Sequence, residues 1–306
     1  MRHPRAQPVL AYPARMAIFL VLTVRPGGQH QVADTLGGLG AITRSVAPGG
    51  LTCVAGVGAG LWDRLWPGPR PVGLEPLHGI EGPEHTAVAT PGDLLFHLRA
   101  DRLTTCSELA HRLLDRLGEA VEVADRVAAA RRPEEPDLPR LTDADDNPTG
   151  IDAVSAVQVG AEDPDHAGGS YVIVQRYRHD LTAWRSRPTA DRLSLPEREP
   201  PARRIVRDTL PFETAGPDEH GSYLIAYASS AGVLDRMLRD RFVGDLSGRP
   251  DPDLAFSTAV TGGLFFAPTR DRLGGPVRQA ELALAAARRR SARHEAAELR
   301  RTTSCG

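Results

Sequence analysis

Apolar positions along the chain switch between two periods, and the switches mark the elements. Residues 17–24 form an unbroken apolar run closed by Arg25, Pro26 and Gly27, the mark of a strand leaving a sheet. Residues 29–46 follow with helical spacing, and residues 51–58 form a second β-prone run. The round then repeats with a strand at 93–99, a helix from about 104 to 117 with Leu109, Leu113 and Leu117 on one face, and a strand at 120–127. This βαββαβ order predicts a ferredoxin-like unit.

Beyond the polar, proline-containing stretch 131–148, a similar pattern restarts with the apolar run 153–159 and the strongly β-prone 171–177. It continues through 222–228, a helix around 233–242 and an apolar strand near 263–267. The expected fold class is α+β: two ferredoxin-like domains with antiparallel sheets, spanning 1–150 and 151–274. A tail at 275–306 is rich in Ala and Arg and reads as a solvated helix.

With 306 residues, 41% hydrophobic and 25% charged, the chain has room for two ordinary cores. A net charge of −2 without a concentrated basic tract in the body disfavours nucleic acid and anionic membranes as partners. All 37 basic residues are Arg, so Schiff-base and amine-nucleophile chemistry is excluded. Cys53, Cys106 and Cys305 are too widely spaced for a zinc knuckle, and their odd number speaks against a secreted disulfide framework. The run at 16–24 is too short to span a bilayer, and without a signal-peptide pattern a cytoplasmic location is expected. The histidines form no close metal-binding pattern, and the glycine-rich pieces at 56–60 and 262–263 lack a nucleotide-binding context. Ser229-Ser230-Ala231 lacks a nucleophile elbow, and Trp62, Trp66 and Trp184 read as packing residues.

Several blocks resemble the bacterial dye-decolourising peroxidase family, in its B-like subgroup. They are PVLAYPARMAIFLVLTV (8–24), LTCVAGVGAGLWDRLWPGPRP (51–71), AVATPGDLLFHLRA (87–100), AGGSYVIVQRYRHDLTAW (167–184) and FSTAVTGGLFF (256–266). The resemblance implies two ferredoxin-like domains in a dimeric α+β barrel-like arrangement around a b-type haem, placed mainly against the second domain. It also implies an oxidoreductase that uses hydrogen peroxide and an organic electron donor, and a homo-oligomer.

The family's distal motif, Gly-x-x-Asp-Gly followed by Thr-Glu-Asn-Pro, falls on residues 140–148, where Asp143, Asn147 and Pro148 match. Arg140 and Ala144 replace the two glycines, and Asp145 and Asp146 place carboxylates where the porphyrin edge is expected, Asp146 at the position of the family's glutamate. In a haem peroxidase a carboxylate above the iron moves a proton between the peroxide oxygens, and a fixed guanidinium stabilises the charge that develops. The resemblance assigns the first role to Asp143. It assigns the second to Arg207, in a segment IVRDTLPF that is similar to the family's arginine segment, with Thr209 in place of a distal asparagine. If haem is bound, Asp143, Ala144, Asp145, Asn147, Arg207 and Thr209 would line it.

On the other face of the haem the family carries a histidine that holds the iron, within a stretch preceding the arginine segment. Here that stretch, 185–206, is shorter by a few tens of residues and contains no His, Cys, Met or Tyr. His179 and His220 flank it, but neither stands at the ligand position. Three readings stay open at this point: a haem peroxidase, a haem-free pseudo-enzyme serving as a binding or oligomerisation module, and haem-independent chemistry in the vacated cavity.

Overall fold

A computed structural model describes residues 5–11, 14–47, 50–131, 147–188, 204–213, 220–244 and 248–275. The expected tail helix and the loop at 132–146 lie outside the described residues. The first unit runs β1 (Met16–Val24), α1 (Gln29–Val46), β2 (Thr52–Val57), β5 (Leu94–Ala100), α3 (Leu103–Leu117) and β6 (Val121–Ala130). Between β2 and β5 lie α2 (Ala59–Leu65) and a small hairpin, β3 (Ile80–Glu81) with β4 (Thr86–Ala87). The second unit runs β7 (Ser170–His179), α5 (Leu181–Ser186), β8 (Val206–Glu213), β9 (His220–Ala228), α6 (Ala231–Phe242) and β10 (Ser257–Ala267).

All pairings are antiparallel, in one sheet ordered β6-β1-β5-β2-β10-β7-β9-β8. Each half of that order places its fourth, first, third and second strand side by side, the ferredoxin-like arrangement. The halves meet at a thin seam, where β2 and β10 share a single register pair, Val57 with Phe266. Gly56 allows that approach: a Cβ there would sit 2.9 Å from Phe265 Cβ and 3.2 Å from Val172 Cγ1. The outermost strands, β6 and β8, also lie against each other, so the sheet curls into a barrel.

Curling buries both faces of most strands, which is why they read as continuous apolar runs rather than alternating ones. On β1, Ile18, Leu20 and Leu22 pack outward with Leu36 of α1 and Leu109 and Leu113 of α3. Ala17, Phe19 and Val21 face inward, in a cluster with Val172, Val174 and Ile225 of the other half. Phe19 stacks on Tyr223 across the barrel with ring centroids 4.0 Å apart, contributing about 0.5–1.5 kcal/mol beyond its buried area. Leu234, Leu238 and Phe242 of α6 cover the outer face of the second half, Phe242 stacking on Tyr177.

The run at 153–159 does not open the second unit as a strand. Residues Gly150–Val157 form a helix, α4, burying Ala153, Ala156 and Val157, a spacing of three and four that belongs to a helical face. The first strand of the second unit is therefore β7. Periodicity alone also leaves β8 undetected, because Arg207, Asp208 and Thr209 break its apolar pattern.

Candidate functional site

β8 is the last strand in the sheet order, so one of its edges is free of strand pairing in the ladder. Arg207 stands opposite Ala226 and Thr209 opposite Leu224, and directly opposed residues project to the same face. Both polar side chains are buried, Arg207 at 8% and Thr209 at 7% exposure. They lie on the outward face, while Val206, Asp208, Leu210 and Phe212 face the barrel interior.

Asn147 fixes the backbone that carries Arg207. Its Nδ2 donates to Arg207 O at 2.7 Å, and its Oδ1 accepts from Arg207 N at 2.9 Å. The side-chain amide thus takes the place of a neighbouring strand at this point of the edge. One residue further along, Asp208 accepts two hydrogen bonds of 2.8 Å from Arg131 Nη2. Arg131 ends the chain leaving β6 and Asn147 begins the chain returning toward α4. Both ends of the loop 132–146 are thereby tied to adjacent residues of β8.

Of the residues singled out from the sequence, Arg207, Thr209 and Asn147 are brought together. Asp143, Ala144 and Asp145 fall in the loop outside the described residues. The Arg131–Asp208 pair escaped the sequence reading; an Arg closing one β-run and an Asp beside the expected functional Arg were its only signals.

His179 and His220 lie in β7 and at the start of β9, in the same sheet wall that presents Arg207. His179 shares a 2.8 Å hydrogen bond between Nδ1 and Ser257 Oγ. Burial first, then the charges of Arg241 and His220, push its pKa down to about 3. His179 is thus committed to Ser257, and neither histidine lies in the stretch where the resemblance places the iron ligand. The stretch 185–206, which connects β7 to β8, supplies no His, Cys, Met or Tyr. The guanidinium side therefore fits a haem, and the donor set on the ligand side does not. Among the described residues no group of three or more His, Cys, Asp or Glu side chains could hold a metal ion, and no helix is long and apolar enough to cross a membrane.

Two ferredoxin-like units in one curled sheet, with a clamped, buried arginine on the last strand of the second, define an α+β barrel of two like halves. The models of the Dyp-type peroxidase N-terminal and C-terminal domains match residues 6–129, and 134–195 together with 190–272. The chain belongs to the Dyp-type peroxidase family. It is 42% identical over 301 residues to a dye-decolorizing peroxidase of Mycolicibacterium paratuberculosis, covering 88% of this chain and 85% of that protein. A dye-decolorizing peroxidase of Mycobacterium tuberculosis is 40% identical over 301 residues, covering 88% and 90%. Among solved structures, the encapsulated DyP-type peroxidase of Mycobacterium smegmatis superposes with a TM-score of 0.83 at 38% identity, covering 89% of this chain and 98% of that one. A Rhodococcus jostii DypB variant in complex with haem gives 0.81 at 36% identity, covering 88% and 98%.

Proposed function

We propose that this chain is a Dyp-type family member that keeps the acid and guanidinium of the peroxide side, Asp143 and Arg207, but no longer holds haem through a histidine. It is a pseudo-peroxidase, and its scaffold serves as a binding or oligomerisation module. The observation that carries this reading is the crossover at 185–206, without the His, Cys, Met or Tyr that commonly holds haem iron. The match to the family's C-terminal model supports it, since that match is broken into two pieces meeting at 190–195, inside this crossover. The replaced glycines and the carboxylate that Asp145 adds in place of the family's threonine point the same way, because an anionic side chain opposes the propionates of a porphyrin.

An ultraviolet-visible spectrum of the protein expressed with added haem precursor tests the reading. A colourless protein that stays colourless on haem titration is the expected result. A stoichiometric Soret band with the signature of histidine ligation would overturn it.

The alternative, a haem peroxidase acting on hydrogen peroxide and an organic donor, is favoured by the haem held in the Rhodococcus jostii relative and by the clamp on Arg207. It predicts red protein and dye oxidation that depends on peroxide and is lost in Arg207→Leu. We also assign the division of the chain near residue 150 to this proposal, with 1–150 and 151–274 as the two domains.

A further inference from the structure

The inward face of β8 belongs to a different place from the outward one. On the barrel's inner side, Tyr227 of β9 stands opposite Val206, and its hydroxyl lies 2.9 Å from His97 Nδ1 on β5. Phe19 stacks on His97 at 4.8 Å and on Tyr223 at 4.0 Å, so β5, β1 and β9 converge there. Arg99, two residues beyond His97 on the same face of β5, is 7% exposed.

The hydrogen bonds of Arg99 run to main-chain oxygens. Nη1 reaches Val9 O at 3.4 Å and Ala11 O at 3.3 Å, and Nη2 reaches Pro8 O. Carbonyls satisfy donors without cancelling a net charge. Asp208, whose field reaches Arg99, gives both carboxylate oxygens to Arg131. Two guanidiniums therefore share one carboxylate, and one positive charge is left over in the interior. Burying an uncompensated ion costs several kcal/mol or more.

Two polar atoms in this spot have no hydrogen-bond partner, His97 Nε2 and Arg99 Nε, and both are fully buried. Tyr227 Oη and His97 Nδ1 are hydrogen-bond partners, and the tautomer in which the hydroxyl donates leaves Nε2 as an N–H donor. Burial, reinforced by Arg99, holds His97 neutral, so it adds a donor and no charge. Two idle N–H groups beside a surplus positive charge call for one acceptor that is also an anion.

The carbonyls that Arg99 meets belong to the strap 7–11, which Gln7 anchors. Gln7 Nε2 donates to Ala55 O at 2.8 Å and to Pro268 O at 2.9 Å, and its Oε1 accepts from Ala55 N at 2.8 Å. That single side chain stitches the seam between β2 and the end of β10, and Val9 joins the interior cluster.

We propose that the barrel interior beside β5 is a binding site for a small monovalent anion of halide size, held by Arg99 and His97 beside the strap. The site lies on the other side of β8 from the family's haem wall and does not depend on whether haem is bound.

A crystal of the full chain soaked in sodium bromide tests this directly. An anomalous peak within hydrogen-bond distance of both Arg99 Nε and His97 Nε2 is expected. Ordinary density there without anomalous signal, as from a water, would overturn the proposal, as would an empty site. In solution, thermal melting in bromide is expected to exceed melting in gluconate at equal ionic strength. His97→Phe keeps the stack on Phe19 and removes one donor, so the bromide concentration giving half the effect should rise about tenfold or more. Equal melting in the two salts, or an unchanged bromide response in His97→Phe, counts against the site. Arg99→Met, where it folds, should lose the response altogether.

Discussion

The two ferredoxin-like units share a strand order and differ in how the first strand of each is joined to the second. In the N-terminal unit the connection is α1, a helix of 18 residues that buries Val32, Leu36 and Leu39 against the sheet. In the C-terminal unit it opens with α5, a helix of 6 residues, and then proceeds to β8 through a stretch without a ligating side chain. The sheet order is nevertheless the same in both halves. Ladder hydrogen bonds and the inward-facing cluster specify the strands, so the helix that opens a crossover can differ without changing the sheet. The two connections differ in composition as well: the second, at 185–206, has no His, Cys, Met or Tyr, and the proposed loss of haem rests on that difference.

The strongest way to break the contrast is to restore the longer connection. Replacing residues 185–206 with the corresponding segment of the Mycolicibacterium paratuberculosis relative should convert a colourless protein into one holding about one haem per chain, measured as Soret absorbance against protein concentration. If the chimera folds, judged by circular dichroism, and remains colourless, the loss lies in Asp145 and the replaced glycines rather than in the crossover.

The next test concerns what the units share. Phe19 is fully buried and stacks on Tyr223 of the other half, so Phe19→Ala should cost about 3–5 kcal/mol. Because the cavity opens between the half-sheets, chemical denaturation should remain a single transition shifted as a whole. A biphasic transition with the second half unshifted would show that the units are energetically separate.

How much of this was legible beforehand depends on where each element's signal resides. The strands buried on both faces announced themselves, since β1 is apolar almost throughout and β5 and β7 carry the runs 94–96 and 171–174. Helix α4 did not, because its short Val/Ile/Ala run fits either period and only the burial of Ala153, Ala156 and Val157 decides. β8 was found by resemblance and not by pattern, Arg207 and Asp208 being the residues that spoil its apolar run. The clamp by Asn147 is a contact between residues 60 apart in sequence, and no local rule reaches that far. The interior cation was also invisible: Arg99 sits in a run that reads as plain strand, and its lack of a carboxylate partner is a property of the closed barrel.

The clamp sharpens the comparison at the sheet's free edge. Asn147→Ala removes two hydrogen bonds to the Arg207 backbone and should cost about 1–3 kcal/mol. Hydrogen exchange should accelerate at the Arg207 amide while β1 and β5 stay protected. Equal acceleration in both units would mean that Asn147 supports the whole barrel and not the arginine strand.

The last test separates the units by the two buried histidines whose pKa is pushed down, His97 in the first and His179 in the second. His97 of the first is held neutral by burial and by Arg99, and His179 of the second has its pKa pushed down to about 3. An unfolded histidine protonates near pH 6.5. Below that pH the unfolded chain binds protons that the folded chain refuses, so stability is full above about pH 6.5 and falls as the pH drops toward 3. Each histidine contributes a slope of at most about 1.4 kcal/mol per pH unit across that window. His179→Gln keeps a side chain able to bond Ser257 and removes the titration, so its stability should fall with acid about half as steeply as that of the parent, as far as these two groups set the slope. Denaturant midpoints measured every half pH unit resolve the difference. A slope unchanged by His179→Gln but flattened by His97→Gln would place the acid sensitivity wholly in the first unit, inside the barrel rather than beneath α6.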